Sequence, residues 1–369
     1  MPLPEQKENR GDNPRVLMLI PSVAKTEIDA EVAANFHPTM DYHALQSALG
    51  ADLADYSVME SDRHPLVRFA RKAGKDAALA AHGFVRRRDY DVIFSNGENV
   101  SIPLAALFKG VRNRPGHVLI GHHLSTPKKK SFFRNLRRQM DLIFVYAETQ
   151  RQYGIEALGI PADHLKLIPF HADHHFYHPM DVQAGPEQVI SSAGLEWRDY
   201  PTMILAVGEL PIQVKLAASS PWSKHRNETK ERKLPQNVTA RRYSYRELRD
   251  LYAESSLVVV PLYDNDFQAG VTTLLEAMAM GKAVVITRTQ GQRDVIEDGV
   301  NGIYVPPADP GSMRTAIESL LNDPARALQI GMAARKTIET EMSLDLWVER
   351  IASAVLDIAR QRRRKSHVE

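Results

Sequence analysis

The chain has 369 residues, 43% of them hydrophobic and 25% charged, a composition typical of a globular protein with room for two hydrophobic cores. It contains no cysteine, which excludes disulfides, thiol chemistry and cysteine-ligated zinc, and its formal net charge of +2 favours no class of partner. Because no apolar run approaches membrane-spanning length and the start is polar, we expect a cytoplasmic protein.

The first half of the chain predicts a parallel α/β domain after a loose tail at residues 1–13. Short apolar runs predict buried strands at 15–21, near Val58, and at 90–95, 117–120, 141–146 and 165–169. Helices are predicted at 41–49 and, as one long basic amphipathic helix, at 64–88. Ligands of α/β proteins bind at the carboxyl edge of the sheet, where we expect the loop with Lys25 and the turn with Glu98.

The second half repeats the alternation of strand and helix. Strands are predicted at 189–194, 213–217, 238–243, 258–261 and 283–287. Helices are predicted at 200–208, from 245 to 252 and onward, and at 271–280, 311–321, 325–341 and 344–360. The pattern therefore indicates a second parallel α/β domain.

The stretch from Gly270 to Glu276 carries the clearest chemical signal. Gly270 allows close backbone approach, and the free amides of Val271, Thr272 and Thr273 at a helix start favour a phosphate group. Glu276 interrupts an apolar run one turn later, and a ribose diol would satisfy its carboxylate. Alternatively, the two threonines only cap the helix and Glu276 accepts backbone hydrogen bonds.

The segments LLEAMAMGKAVVIT and QGQRDVIEDGVNGIYVPPADP resemble the nucleotide-sugar half of family 4 glycosyltransferases of GT-B fold. The resemblance implies an α/β protein with two Rossmann-like domains that face each other across a cleft. The implied units are an acceptor domain at 14–178, a nucleotide-sugar domain at 179–341, and a helix at 342–369 that crosses back to the first domain and ends in a basic tail.

The resemblance also assigns residues to the donor. Glu276 matches the family glutamate that holds the ribose, and Gln268 stands where the family has a glutamate that contacts the donor sugar. Arg198 falls on a lysine that grips the diphosphate, whereas Ala193 replaces the family arginine. The other donor contacts implied are Tyr243 and Ser244 at the base, with neighbouring Arg242, and Lys224 or Arg226 as the replacement cation.

The catalytic assignment includes a histidine at the end of the strand at 117–120. By register this residue is His122, with His123 as the near alternative; the other interpretation is that both histidines are half-exposed loop residues. With Gln268 and Arg198 they form the predicted catalytic set. The loop at Lys25 replaces a Gly-Gly pair of the family, and we assign Lys25 and Glu98 to the acceptor side.

The family resemblance implies transfer of a sugar from a nucleoside diphosphate sugar to an unidentified acceptor, with retention of configuration and without a cofactor. We expect no metal, although Asp264 and Asp266 imitate a D-x-D motif. Common hydrolase and nucleoside-triphosphatase motifs are absent from the sequence. The alternatives are a sugar-nucleotide epimerase and a non-catalytic nucleotide-sugar binder, and the substitutions at Gln268 and Ala193 favour the binder.

Two further features have more than one interpretation. From Asn99 to Met140 there are basic residues but no acidic ones, and residues 109–138 could contact an anionic membrane through a surface helix of this make-up, with Phe132 and Phe133 as shallow anchors. The same stretch could hold a phosphate-bearing acceptor or form a solvated basic face. We expect no nucleic acid partner, because no recognised module accompanies the charge.

The segment at 170–179, FHADHHFYHP, resembles the interdomain segment of the family. Its four histidines admit a metal site, but they are crowded into a linker without a known carboxylate pattern. We therefore favour a structural hinge. The histidines are His171, His174, His175 and His178.

Overall fold

The first domain is a parallel α/β layer, and the computed structural model of the protein describes residues 14–23, 27–181, 187–218 and 234–366. Its strands are β1 (Val16–Leu19), β2 (Asp52–Ala54), β3 (Val92–Asn96), β4 (Gly116–Gly121), β5 (Leu142–Val145) and β6 (Leu165–Leu167). They pair in parallel in the order β2-β1-β3-β4-β5-β6. Because helices cover both faces, the central strands are fully buried, as their apolar runs predict.

Helices connect these strands. They are α1 (Glu27–Ala33), α2 (Asp41–Leu49), α3 (Val58–Ser61), α4 (Pro65–Ala70), α5 (Lys75–Val85), α6 (Glu98–Phe108), α7 (Lys130–Leu136) and α8 (Glu148–Glu156). Single 3₁₀ turns lie at Arg71–Ala73, Arg87–Asp89, Pro127–Lys129, Arg137–Gln139 and Ala162–His164.

The strand predicted near Val58 is β2, and two other local predictions for this domain were wrong. Val58 itself begins α3, because the Asp55 carboxylate accepts hydrogen bonds from the amide and hydroxyl of Ser57 and turns the chain after β2. The long helix predicted at 64–88 is two helices, since Gly74 adopts φ +123° between them. The turn predicted to include Glu98 ends before it, because α6 already begins at Glu98.

The second domain repeats the architecture. Its strands are β7 (Val189–Ala193), β8 (Gln213–Ala217), β9 (Val238–Ala240), β10 (Leu257–Val260), β11 (Val284–Thr287) and β12 (Ile303–Val305). They form a parallel sheet of order β12-β11-β10-β7-β8-β9. The helices are α9 (Tyr200–Val207), α10 (Tyr245–Glu254), α11 (Val271–Ala279), α12 (Pro310–Leu321) and α13 (Pro324–Glu341). The strand predicted to reach residue 243 ends three residues earlier, at Ala240.

The last helix, α14 (Leu344–Ser366), returns to the first domain. Trp347 is only 2% exposed and belongs to the core formed by β1, β3 and α2, together with Ile351 and Val355. The predicted crossover helix is therefore confirmed. Within the described residues, no helix combines the length and the apolarity that crossing a membrane requires.

The two domains touch through loops at the carboxyl ends of their strands. The ring of His123, after β4, stacks on Phe267, after β10, with ring centroids 4.7 Å apart. At a second contact the Arg249 guanidinium of α10 donates to the Asn35 side chain at 3.1 Å. The carboxyl edges of both sheets thus border one cleft, where ligands of α/β proteins bind.

Candidate functional site

A cavity of about 480 Å³ opens at the carboxyl edge of the second sheet. It lies among the ends of β7, β8 and β9, the loop after β10 and the start of α11. The residues that line it are Ala193, Gly194, Leu195, Glu196, Arg198, Ala217, Tyr243, Ser244, Tyr245, Leu248, Phe267, Gln268, Ala269, Gly270, Val271, Thr272, Thr273 and Glu276. Most of the donor residues predicted from the sequence therefore share one cavity.

The start of α11 forms the floor of this cavity. Gly270 is left-handed with φ +76°, and a Cβ there would lie 2.9 Å from the Val260 side chain, so only glycine fits. No side chain caps the helix in the described structure, which argues against the view that Thr272 and Thr273 serve as caps. The Val271 amide donates to the Gln268 carbonyl at 3.4 Å, which leaves the amides of Thr272 and Thr273 and the positive end of the helix dipole at the cavity.

Arg198 lies directly beneath this helix terminus and is only 7% exposed. Its guanidinium donates to the carbonyls of Ala193 at 2.8 Å and Glu196 at 2.9 Å, and to the Thr273 hydroxyl at 3.0 Å. Burial lowers the pKa of Arg198. No carboxylate in the described part of the chain forms an ion pair with it. A buried cation beside the positive end of a helix is unfavourable until an anion binds, and N–H donors remain for that anion.

The backbone around Arg198 is shaped to admit the guanidinium. Gly194 has φ +93°, and a Cβ at this position would lie 2.5 Å from Nη2 of Arg198. The Arg198 backbone also forms an isolated bridge with Leu262, which fixes the loop after β7 against the loop after β10. The position of the cation is therefore built into the fold.

Glu276 lies one turn into α11 and is 7% exposed. The Tyr252 hydroxyl donates to its Oε2 at 3.0 Å. Burial raises the pKa of Glu276 to about 7, and the hydroxyls of Tyr177 and Tyr252 and the charge of Arg198 offset only part of that effect. At pH 7 the carboxyl group is thus about half ionised, and hydroxyl donors would favour its ionised form.

The loop from Asp264 to Ala269 forms the side of the cavity that faces the first domain. Gln268 lines the cavity, and its buried Oε1 accepts no hydrogen bond from the described residues. The sequence analysis missed two supports of this loop. Gln292 donates to the Ala269 carbonyl at 2.9 Å, and a Cβ on Gly291 would lie 2.0 Å from the Phe267 carbonyl oxygen. Both residues belong to the QGQ motif at 290–292, which was the sequence signal that could have identified them.

Tyr243 and Ser244 border the cavity on the side of β9. The Ser244 hydroxyl and amide form a capping box with Glu247 at the start of α10, so its amide already donates to the Glu247 carboxylate at 2.8 Å. The Arg241 guanidinium covers the Tyr243 ring at 3.7 Å from its centroid. Tyr243 is therefore better placed than Ser244 to contact a nucleotide base.

On the first domain, the structure separates the two candidate histidines. His123 contacts the second domain, with Nε2 at 3.4 Å from Asp266 Oδ1 and its ring on Phe267. His122, which matched by register, instead lies 3.2 Å from Asn96 Oδ1 within its own domain. The His123 side chain is thus closer to the donor cavity.

Glu98, assigned to the acceptor side, is only 4% exposed. Its Oε1 accepts a hydrogen bond from the His123 amide at 2.5 Å, and its Oε2 lies 3.5 Å from Lys129 Nζ. Glu98 therefore holds the His123 loop in place. Lys25 and Lys224 lie outside the described residues, as does Arg226.

Gln150 is a third residue that was not predicted from the sequence. Its amide nitrogen donates across the cleft to the Asp266 carbonyl at 2.9 Å, while its Oε1 accepts from the Leu124 amide at 2.7 Å. A glutamine in the first turn of a helix carried no signal of this role. It ties the loop after β4 to the loop of the donor cavity.

The basic stretch at 109–138 contains several elements. A turn and a short connection lead into β4, and a loop with one 3₁₀ turn then leads into α7. Phe133 is fully buried in the core beneath α7, whereas Phe132 is 54% exposed. Phe133 was therefore wrongly predicted as a membrane anchor, because the apolar side of α7 packs on its own domain.

The histidine-rich segment at 170–179 connects the domains. Ligand atoms of His174, His175 and Asp345 lie within 4.8 Å of one another, which is a possible metal-binding group. However, the Arg335 guanidinium donates to the His174 carbonyl at 3.1 Å and places a cation beside them. The interpretation as a hinge remains a prediction.

Comparisons with known proteins agree with this geometry. Residues 202–323 match the family described as glycosyl transferases group 1. Over these residues the chain is similar to that family. The match includes α11 and Glu276, and it leaves the first domain outside.

Curated relatives align with shorter stretches of the chain. D-inositol 3-phosphate glycosyltransferase of Corynebacterium kroppenstedtii is 35% identical over 85 residues, which are 23% of this chain and 18% of the relative. GDP-mannose-dependent alpha-(1-6)-phosphatidylinositol monomannoside mannosyltransferase of Mycolicibacterium smegmatis is 38% identical over 82 residues, 22% of this chain and 20% of the relative. The alignments thus span about a fifth of the length of these relatives.

Solved structures resemble the whole chain. HepE of Anabaena, solved with UDP-glucose, superposes with a TM-score of 0.71 at 17% identity and covers 93% of this chain and 99% of its own. Sucrose-phosphate synthase of Thermosynechococcus elongatus gives a TM-score of 0.70 at 17% identity, over 93% of this chain and 98% of its own. The predicted GT-B fold is confirmed.

Proposed function

We propose that the protein transfers a sugar from a nucleoside diphosphate sugar to an acceptor in the cleft. The observation that carries this proposal is the buried Arg198 guanidinium, which has no carboxylate partner among the described residues and lies under the uncapped start of α11. A diphosphate supplies the missing negative charge. Glu276, in the same cavity, supplies a carboxylate for the ribose diol.

The transfer needs stabilisation of the departing diphosphate more than it needs a nucleophile. The α11 amides and Arg198 would bind the diphosphate more strongly as it gains charge and the sugar becomes oxocarbenium-like. Gln268 would contact the sugar through its unpartnered oxygen, and Tyr243 the base. We further propose retention of configuration, with the diphosphate oxygen helping to take the acceptor proton, and no requirement for a metal.

The acceptor would enter from the first domain, where His123 borders the donor cavity. His122 and Glu98 would support this side by shaping the loops after β3 and β4. A cytoplasmic location and contact of residues 109–138 with an anionic membrane stay predictions. For the latter, Phe132 is the aromatic side chain exposed on α7.

The test begins with thermal stabilisation of the purified protein by UDP, GDP, ADP, CDP and dTDP. UDP and GDP come first, because HepE was solved with UDP-glucose and the mycobacterial relative is named as GDP-mannose-dependent. Selective stabilisation by one nucleotide supports the donor site. If millimolar concentrations of all five leave the melting temperature unchanged, the proposal is wrong.

Turnover of the corresponding sugar nucleotide then separates three functions. A glycosyltransferase releases nucleoside diphosphate faster when a suitable acceptor is present. An epimerase converts the donor without an acceptor, and a non-catalytic binder shows affinity without conversion under either condition. The substitution of Gln268 for the family glutamate makes the last outcome a concrete alternative.

A further inference from the structure

Basic residues from distant parts of the sequence meet at the amino edge of the first sheet. In a parallel sheet all strands begin at the same edge. Arg15 directly precedes β1, Arg87 and Arg88 follow α5 just before β3, and Arg112 and Arg114 precede β4. The end of α14 brings Arg362 to the same edge, so basic runs far apart in the chain form one surface.

This surface is concave. A cavity of about 580 Å³ is lined mainly by arginine and lies at the opposite edge of the sheet from the cleft with the donor site. The lining residues are Arg15, Arg87, Arg88, Tyr90, Asp91, Val111, Arg112, Asn113, Arg114, Pro115 and Arg362. Guanidinium groups that converge on a cavity raise its positive potential more than the same groups scattered on a flat surface.

Acidic groups neutralise only part of this charge. Asp141 pairs with Arg114 at 2.6 Å and with Arg362. Asp91 pairs with Arg363 at 3.0 Å and also accepts the backbone amide of Arg15.

The remaining guanidinium groups have no such partner. Within the described residues, the side chains of Arg15, Arg88 and Arg112 form no ion pair, even though Asp89 is next to Arg88 in the chain. Arg87 donates to the Phe84 carbonyl and lies over the Phe84 ring instead of pairing with an acid. The cavity therefore retains several uncompensated cations.

We propose that this arginine cavity binds a phosphate-bearing ligand that is distinct from the sugar donor. Guanidinium groups bind phosphate oxygens through paired, charge-assisted hydrogen bonds, and the unpaired arginines here surround a space large enough for more than one phosphate group. The phosphates belong either to a small soluble compound or to the headgroups of anionic lipids. The site does not depend on the proposed transferase activity.

The experiment uses full-length protein and the double variant Arg88→Gln/Arg112→Gln, which removes two exposed charges without opening the core. One arm measures binding of inorganic diphosphate by calorimetry. The other measures cosedimentation with vesicles of phosphatidylcholine containing phosphatidylglycerol, against pure phosphatidylcholine. The matched control is Arg326→Gln/Lys336→Gln on α13, which removes two exposed charges from the second domain.

We expect the cavity variant to bind one of the two probes about tenfold more weakly than the wild type and the control variant do. Weakening confined to diphosphate assigns the cavity to a soluble ligand, and weakening confined to vesicles assigns it to lipid headgroups. Inorganic diphosphate can also bind in the donor cavity, so the cavity variant should lose one of two diphosphate sites. Nucleoside diphosphate should still raise the melting temperature of this variant. Unchanged binding of both probes, or equal weakening in the control variant, overturns the proposal.

Discussion

The carboxyl edges of the two sheets border the same cleft, but they are built differently. At the second sheet, the charged groups have unused binding capacity: Arg198 has no carboxylate partner among the described residues, and Glu276 accepts from one tyrosine. At the first sheet, Glu98 and Asn96 are occupied within their own domain, since Glu98 accepts from the His123 amide and Asn96 contacts the His122 ring. The second edge is therefore prepared for a charged ligand, and the first mainly positions loops.

The substitution Arg198→Met should have the largest effect on the donor edge. Loss of the charge-assisted hydrogen bonds to the diphosphate should weaken binding of the preferred nucleoside diphosphate by about 100-fold or more. Stability should change little or even rise, because the variant removes a buried charge that has no paired acid. Calorimetric binding and thermal melting of the same preparation measure both effects.

The matched control for this variant is Arg314→Met. Arg314 also donates to a backbone carbonyl of the second domain, that of Ala206 at 2.8 Å, but it lies on α12 outside the donor cavity. The control should bind nucleotide like the wild type. If Arg198→Met binds nucleotide normally or fails to fold, Arg198 is a structural residue and the two edges are more alike than we propose.

Glu276→Gln gives the next largest effect and adds a pH dependence. Burial raises the pKa of Glu276 to about 7, and the ribose hydroxyls should bind the ionised form. Nucleotide affinity of the wild type should therefore increase as the pH rises from 5.5 to 8. The variant should bind about tenfold more weakly at pH 8 and show no such increase.

Stability should change in the opposite direction over the same range. The unfolded chain loses the Glu276 proton near the ordinary pKa of 4.5, while the folded protein keeps it until about 7. Between these values the folded state binds more protons, so the wild type should lose about 3 kcal/mol relative to Glu276→Gln as the pH rises. Urea unfolding of both proteins at pH 4.5, 6 and 8 measures this difference, and parallel pH curves would contradict a titration at Glu276.

The same contrast explains what the sequence could predict. The donor edge depends on contiguous residues: Gly270, the following amides and Glu276 have fixed spacing on one helix, so a pattern of letters specifies their geometry. Buried strands were predictable for a similar reason, since burial on both faces requires continuous apolar runs. The break at Gly74 and the turn at Asp55 depend on single residues whose effect the apolar pattern concealed.

Long-range contacts were beyond the sequence. The partners Gln150 and Asp266 are more than a hundred positions apart, and so are His123 and Phe267. Only folding decides which of two adjacent histidines points across the cleft, because neighbouring residues at a strand end face different directions. Alignment with the family motif favoured His122, whereas the structure brings the His123 side chain to the donor loop.

His123→Ala should have the smallest effect, and it tests the role of the carboxyl edge of the first sheet. The backbone amide that donates to Glu98 is retained, so the fold should be preserved. The side chain that stacks on Phe267 and approaches Asp266 is lost, which should loosen the donor loop against the first domain. We expect the transfer rate to fall about tenfold while nucleoside diphosphate affinity stays within about twofold, since positioning affects the reaction more than binding.

His122→Ala is the matched control, because it removes the adjacent ring and leaves the cleft contact intact. If His122→Ala slows transfer and His123→Ala does not, the prediction by register is correct, and the contact of His123 with Phe267 serves only to hold the domains together.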